Sequence, residues 1–187
     1  MTKKQWFMIT LVVLSLIATV GTAYALMRKE TPVVENTFTP AVVQCEVHQN
    51  LTHGGTPKYV TQHDDIRVKN TGNVDAYVRI RFVSYWMAYN DENDEWEIVP
   101  KTSVMPELHI ENGWIQGSDY TYYYPTPIAP DAYTSFIINT EAVPLATDGD
   151  YVQVLEVFAE AIQSLPTDAA NSSWGVTLND GTITAAP

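Results

Sequence analysis

The densest group of metal-ligating side chains in the chain is His63-Asp64-Asp65, and the other three histidines stand apart from it. Catalytic zinc needs three protein ligands on a rigid frame and an open fourth position. The His-Glu-x-x-His pattern, which places two zinc ligands and a base on one helix, does not occur. We therefore interpret the histidines as surface residues in loops, and a zinc site at His63, Asp64 and Asp65 is the alternative.

A second set of oxygen ligands lies in the acidic segment 90–95, where Asp91, Asn93 and Glu95 alternate. Carboxylate and amide oxygens suit Ca²⁺, but the segment lacks the glycine and the terminal glutamate spacing of an EF-hand loop. It is typical of a solvated hairpin tip. Weak calcium binding is the alternative.

Aromatic side chains alternate at Tyr120, Tyr122 and Tyr124. Tyrosines on one face of a strand can bind carbohydrate or a partner protein, and they serve equally well in core and cross-strand packing. We favour packing, with a binding face as the alternative.

The remaining residues do not indicate an enzyme. No Ser-His-Asp order, phosphate-binding loop or catalytic carboxylate pair stands out. The single cysteine, Cys45, has no partner for an internal disulfide. We interpret it as a small buried apolar residue, with an intermolecular bridge as the alternative.

The N-terminus has the organisation of an export signal. Lys3 and Lys4 precede the apolar stretch 6–20, and Ala23 and Ala25 form the small-residue pattern that signal peptidase cleaves. This predicts a signal helix in residues 1–25, cleavage after Ala25, and contact with a membrane only before cleavage. An uncleaved anchor is the alternative, but a spanning helix needs about 20 apolar residues.

The charge balance narrows the range of partners. The whole chain has 10 basic and 22 acidic residues, a net charge of −12. Cleavage would remove Lys3 and Lys4, leaving 8 basic residues and a net charge of −14. Nucleic acid and anionic lipid are poor partners for such a chain because like charges repel.

Residues 26–40 contain two prolines and no helical period, and they predict an extended arm that carries Val33, Val34 and Phe38. Residues 41–187 then form one domain. Alternating or β-rich stretches predict its strands, which we place at 42–47, 65–70, 74–87, 134–139 and 151–163. For 151–163 a helix is the alternative, because its apolar residues also fit a 3.6-residue period.

Local signals set the connections between these strands. The turn Asn70-Thr71-Gly72-Asn73 predicts that strands 65–70 and 74–87 pair with each other, with Tyr77 on the solvated face. Residues 48–55 read as a loop. Residues 167–174 predict a short helix that Thr167 or Asp168 caps and Gly175 ends. Many short strands with one short helix predict an all-β antiparallel sandwich or jelly roll.

Several segments, in order, resemble one family. They are an export signal followed by Asn36-Thr37-Phe38-Thr39-Pro40, then 68–79, then 122–130 with its tyrosine run, and then 159–176. Their order and spacing are similar to the TasA/camelysin family of exported proteins from Gram-positive bacteria. The resemblance implies a jelly-roll fold, processing by a dedicated type of signal peptidase, and assembly into extracellular matrix fibres with other matrix proteins.

Three hypotheses for function follow. The first is a secreted structural protein of the cell surface or biofilm matrix whose arm adds as a strand to the sheet edge of the next copy. Its negative charge predicts more assembly at high salt or falling pH. The second is a camelysin-like surface metalloprotease, and the third is a monomeric binding module that uses the tyrosines.

Overall fold

The computed structural model describes residues 2–8, 10–11, 15, 40–56, 58–139 and 141–187. The chain divides into two compact units, Met1–Thr39 and Pro40–Pro187. In the first unit, residues 3–8, 10, 11 and 15 are helical, and the apolar side chains of Trp6, Phe7, Met8 and Leu11 are exposed. Among the described residues, no helix is both long and apolar enough to cross a membrane.

The described part of the second unit contains eleven strands and one helix. The first four strands are β1 (Cys45–Gly54), β2 (Tyr59–Asn70), β3 (Ala76–Asn90) and β4 (Glu95–Val99). The short middle strands are β5 (Ile115–Gln116), β6 (Thr121–Tyr123), β7 (Val143–Pro144) and β8 (Thr147–Asp148). The chain ends with β9 (Tyr151–Gln163), the C-terminal helix (Ala169–Trp174), β10 (Thr177–Asn179) and β11 (Thr182–Ala185).

Two antiparallel sheets and a hairpin organise these strands. The first sheet has the order β1-β2-β7, and the second has the order β5-β6-β3-β9-β8, with β4 also paired to β3. The strands β10 and β11 form the hairpin. The unit is therefore all-β and antiparallel with one short C-terminal helix, as the strand pattern predicts.

The main core lies where residues of both sheets meet. Ile66 and Val68 come from β2, while Ile80, Phe82 and Leu155 come from β3 and β9, and each is at most 2% exposed. The alternation in 65–70 and 74–87 predicts the inward positions of four of them, Ile66, Val68, Ile80 and Phe82. Burying such side chains contributes roughly 1.5–3 kcal/mol each, which makes this core the main source of stability.

A second core covers the other face of the second sheet. Tyr77 and Tyr123 pack there with Trp174, Val176 and Ile183 from the C-terminal segment. The hydroxyl of Tyr77 donates a 2.6 Å hydrogen bond to the carbonyl of Gly181. The prediction that Tyr77 faces solvent is therefore wrong, because the C-terminal segment folds over a face that looks exposed from local alternation alone.

The predicted pairing of strands 65–70 and 74–87 is also wrong. The strand β2 pairs with β1 and β7, whereas β3 pairs with β4, β6 and β9. The turn at 70–73 carries the chain from one sheet to the other. Residues 48–55, predicted as a loop, mostly belong to β1, because pairing with β2 satisfies the backbone of this polar stretch. Within 134–139 only an isolated bridge from Ile138 to Ile66 forms, and Tyr133 bridges Lys69 just before it.

The crossover turn is held by one buried side chain. Asn70 is fully buried, and its amide donates to the carbonyls of Val74 at 2.8 Å and Ile128 at 2.9 Å. Its side-chain oxygen accepts from the backbone N–H of Gly72 at 2.9 Å. One asparagine thus satisfies three backbone groups where the chain passes between the sheets.

The C-terminal helix begins after Asp168, although the Asp168 side chain makes no capping hydrogen bond. Gly175 ends the helix in the left-handed region, with φ of 69°. A left-handed residue at this position is the usual role of glycine at helix ends. The predicted end of the helix is confirmed, and the predicted side-chain cap is not formed.

Candidate functional site at the open sheet edges

The outer side of β9 is an open sheet edge. On its inner side β9 pairs with β3 along its whole length, from Tyr151 to Gln163. On its outer side β8 reaches only Tyr151 and Val152, and the N–H of Gln153 donates to Ala146. Within the described ranges, no backbone group pairs with the outer side of β9 beyond this point.

The register identifies which backbone groups point outward. The N–H of Ser164 donates to the carbonyl of Asp75, the residue just before β3, so alternate residues back along β9 also face β3. The N–H of Gln153 faces the other way. The outward N–H and C=O groups therefore belong to Leu155, Val157, Ala159, Ala161 and Gln163. Unpaired groups of this kind form a template for another strand.

The edge of the other sheet lies beside this one. The strand β1 is the edge strand of its sheet, and it contacts β9. Half-buried Cys45 and Val47 of β1 pack against the main core, as do Ala159 and Ala161 of β9. The two alanines leave more space than larger apolar residues would. An added strand could therefore place apolar side chains between the two edges.

The start of the domain is clamped next to these edges. The Asn73 side chain accepts from the N–H of Val42 at 2.7 Å and donates to the carbonyl of Pro40 at 3.0 Å. The backbone N–H of Asn73 donates to the carbonyl of Val42 at 3.0 Å. A Cβ on Gly72 would lie 2.3 Å from the carbonyl oxygen of Val42, so a residue without a side chain is required there. The turn therefore fixes the point at which the arm joins the domain.

Cys45 sits at the start of β1 with a protonated thiol. Burial, and then the nearby carboxylate of Glu160, raises the pKa of Cys45 to about 11. A thiol with a raised pKa contains little thiolate at neutral pH and reacts slowly. Its packing against the main core agrees with the interpretation as a small buried apolar residue.

The predicted zinc ligands take up different environments. His63 is buried, with Nδ1 3.0 Å from the Gln49 side-chain oxygen, whereas Asp65 accepts a 2.7 Å hydrogen bond from Asn50. Burial lowers the pKa of His63 to about 4, against a smaller opposing effect of Asp64. His63 is therefore neutral at pH 7, and it is a buried residue of β2 rather than a loop residue.

The acidic segment forms the tip of the β3–β4 hairpin. Asp91 and Glu95 are exposed there, and the Asn93 amide donates to Glu97 at 3.0 Å. In the part of the chain that the structure describes, no three His, Cys, Asp or Glu residues gather as a metal site. The hairpin-tip interpretation of 90–95 agrees with the structure.

The three alternating tyrosines do not form one exposed face. Tyr120 is 47% exposed, whereas Tyr122 is 5% exposed and packs edge-on against Phe82. Tyr124 is half-buried, and its ring centroid lies 5.2 Å from that of Trp114. The packing role that we favour from the sequence describes Tyr122 and Tyr124.

The predicted cleavage residues Ala23 and Ala25, and the arm residues Val33, Val34 and Phe38, lie outside the described residues. Sequence reasoning also missed the outer edge of β9 altogether. The alternation of side chains along β9 is the same whether one or both sides of the strand are paired. Only the order of strands in the sheet shows which case applies.

In comparisons with known proteins, no family model, no curated protein and no solved structure matches this chain.

Proposed function

We propose that this chain is an exported structural protein of a Gram-positive cell surface or biofilm matrix. In this proposal residues 1–25 are the signal peptide, and the mature unit is a jelly-roll-like sandwich that assembles into fibres. The assembly contact is residues 26–39 of the arm, which precede the clamped Pro40, added as a strand to the open edge of β9 in the next copy. The observation that carries the proposal is that edge, which offers five outward-facing residues beside half-buried apolar side chains.

The chemistry of the arm matches the edge. Successive side chains of a strand point to opposite faces, so Val34 and Phe38 would lie on the same side of the added strand. Ala159 and Ala161 are small and half-buried, and they would accept these larger side chains. Main-chain hydrogen bonds would supply affinity, and the apolar side chains would set the register.

The geometry favours continued growth over a closed dimer. The donor is at the start of the chain and the acceptor is on β9, so each copy would offer two different surfaces. Such head-to-tail contacts form open filaments unless the rotation closes a ring. The net charge of −14 on the mature chain opposes contact between copies, so added salt would promote assembly.

Electron microscopy and light scattering of three chains test the proposal at neutral pH and raised salt. Residues 26–187 are expected to form filaments, and residues 40–187, which keep the Asn73 clamp, are expected to remain monomeric. A synthetic peptide of residues 26–39 is expected to bind the shorter chain and to stop growth of the longer one. Equal filament formation by both chains, or no filaments from either, would contradict strand donation.

A substitution in β9 tests the acceptor edge independently of the arm. Ala159→Pro removes one outward N–H and leaves the hydrogen bonds to β3 in place, because proline is tolerated on the open side of an edge strand. We expect it to block filament growth and peptide binding without loss of the circular dichroism of the folded unit. Ala159→Ser retains the N–H at nearly the same size and serves as the control. Normal filaments from the proline variant would exclude β9 as the acceptor.

A further inference from the structure

A cleft lined by aromatic and acidic side chains lies at the end of the second unit where three turns meet. Its volume is about 470 Å³. The walls include the rings of Tyr59, Tyr89 and Trp96, and the rim includes the carboxylates of Asp91 and Asp150. This cleft is distinct from the open edge of β9 and from the main core.

The rings form an angled enclosure. Trp96 packs edge-on against Tyr59, with centroids 5.8 Å apart, and against Tyr89, with centroids 5.4 Å apart. Tyr89 and Trp96 are also cross-strand partners in the β3–β4 hairpin, and the hydroxyl of Tyr89 donates to Asp94. The enclosure is therefore built on paired strands, which hold its rings in place.

The charges around these rings differ from those at the other aromatic surfaces. Elsewhere in the described residues, Arg67 lies over Tyr133, Arg79 over Trp174, and Lys101 over Trp86. In that same part of the chain no Lys or Arg lies over the three rings of the cleft. Among the ion pairs of the described residues, none joins Lys58, next to Tyr59 in the sequence, to Asp91 or Asp150. As far as the described residues go, the cleft thus combines ring faces and negative charge without a cation over its rings.

We propose that this cleft binds a quaternary ammonium group, such as a trimethylammonium. A cation over aromatic faces is attracted by the ring quadrupoles, and aromatic enclosures recognise quaternary ammonium ligands in this way. The carboxylates add a favourable field. A primary ammonium is held more strongly by water, so it loses more on entering a cleft walled by rings. Two carboxylates are too few to hold a divalent cation without further ligands.

Titration of the full chain with choline, followed by the indole N–H signal of Trp96 in NMR spectra, tests this proposal. A saturable shift with a dissociation constant on the order of 1 mM is expected. The neutral isostere 3,3-dimethylbutan-1-ol and methylammonium are expected to bind at least about tenfold more weakly. Equal binding of the neutral alcohol would show that the cleft binds through apolar contact alone, and it would overturn the proposal.

Two variants localise the effect. Trp96→Leu should weaken choline binding at least about tenfold, and Asp150→Asn should weaken it severalfold while changing only charge in an exposed turn. Tyr133→Leu removes an exposed ring that already has cations over it and should leave binding unchanged. If Trp96→Leu does not fold, the Asp150→Asn result decides.

Two further outcomes would contradict the proposal. One is the absence of any shift up to about 50 mM choline, which would exclude useful affinity. The other is displacement of choline by stoichiometric calcium, which would make the carboxylates a divalent-cation site instead.

Discussion

Replacing Asn70 by aspartate tests the account of how the two sheets are connected. The two side chains have nearly the same shape, but a carboxylate cannot donate hydrogen bonds. The change would leave the carbonyls of Val74 and Ile128 facing a negative oxygen at the distances of 2.8 and 2.9 Å that the amide now spans. The fold would therefore lose two donors and gain a buried charge.

The expected loss of stability is large. Each buried acceptor left without a donor costs about 1–3 kcal/mol, and a buried charge without a partner adds to this. We expect Asn70→Asp to lower the free energy of unfolding by at least about 4 kcal/mol at pH 7. Because a small domain has only about 5–15 kcal/mol in total, the variant should lie close to its unfolding threshold.

The loss of stability caused by Asn70→Asp should depend on pH in a definite direction. Burial raises the pKa of such a carboxyl, and the protonated acid regains one donor. The difference in stability between the variant and the parent chain should therefore shrink as the pH falls from 7.5 to 5. Comparing the two chains at each pH cancels the contribution of other titrating groups, including His63.

Urea unfolding followed by circular dichroism and tryptophan fluorescence measures this difference. Asn73→Asp is the matched control, because Asn73 is in the same turn but exposed, and it should cost at most about 1 kcal/mol. A cost below about 1 kcal/mol for Asn70→Asp, or a cost that grows as the pH falls, would refute the reasoning.

Three further predictions concern single residues. Burial lowers the pKa of His63 to about 4 against 6.5 for an ordinary histidine, so the unfolded state binds more protons between these values. The free energy of unfolding should have its full value above pH 6.5 and fall by up to about 3 kcal/mol towards pH 4. Urea unfolding should show a smaller fall for the His63→Gln variant over the same pH range. Gly72→Ala should cost about 1–3 kcal/mol in the same assay, since its Cβ would press on the carbonyl of Val42, and a neutral effect would contradict that contact. Tyr122→Ala should cost about 3–5 kcal/mol and Tyr120→Ala less than about 0.5 kcal/mol by thermal unfolding, whereas equal costs would contradict the packing of the tyrosines.

The His63 prediction affects how assembly is tested. Acid would reduce repulsion between copies and also destabilise the domain over the same pH range. Salt at neutral pH screens the repulsion without protonating His63. Filament growth that responds to salt at pH 7 is therefore the cleaner test of the electrostatic part of the proposal.

The sequence by itself determined the elements with strong local patterns. The strand Tyr151–Gln163 has the predicted bounds, and the inward positions of 65–70 and 74–87 are buried. Gly175 ends the C-terminal helix as predicted. Side-chain period and the conformational freedom of glycine act over a few residues, so a single sequence reveals them.

Only the tertiary structure decided which strands are neighbours. Residues 48–54 are polar and look like a loop, and they become a strand because β2 supplies their hydrogen-bond partners. Tyr77 is buried because the distant hairpin around Gly181 covers it. These are contacts between residues far apart in the sequence, and they cannot be inferred from the alternation along one strand.

Contacts between residues far apart in the sequence also explain why the sequence alone did not predict either candidate site. The aromatic residues Tyr89 and Trp96 flank the acidic segment and hint at a hairpin pair, but Tyr59 and Asp150 join them only through the meeting of separate turns. The open side of β9 follows from the order of strands in its sheet. Local periodicity fixes which side chains a strand buries, whereas long-range pairing fixes which of its backbone groups remain available to another chain.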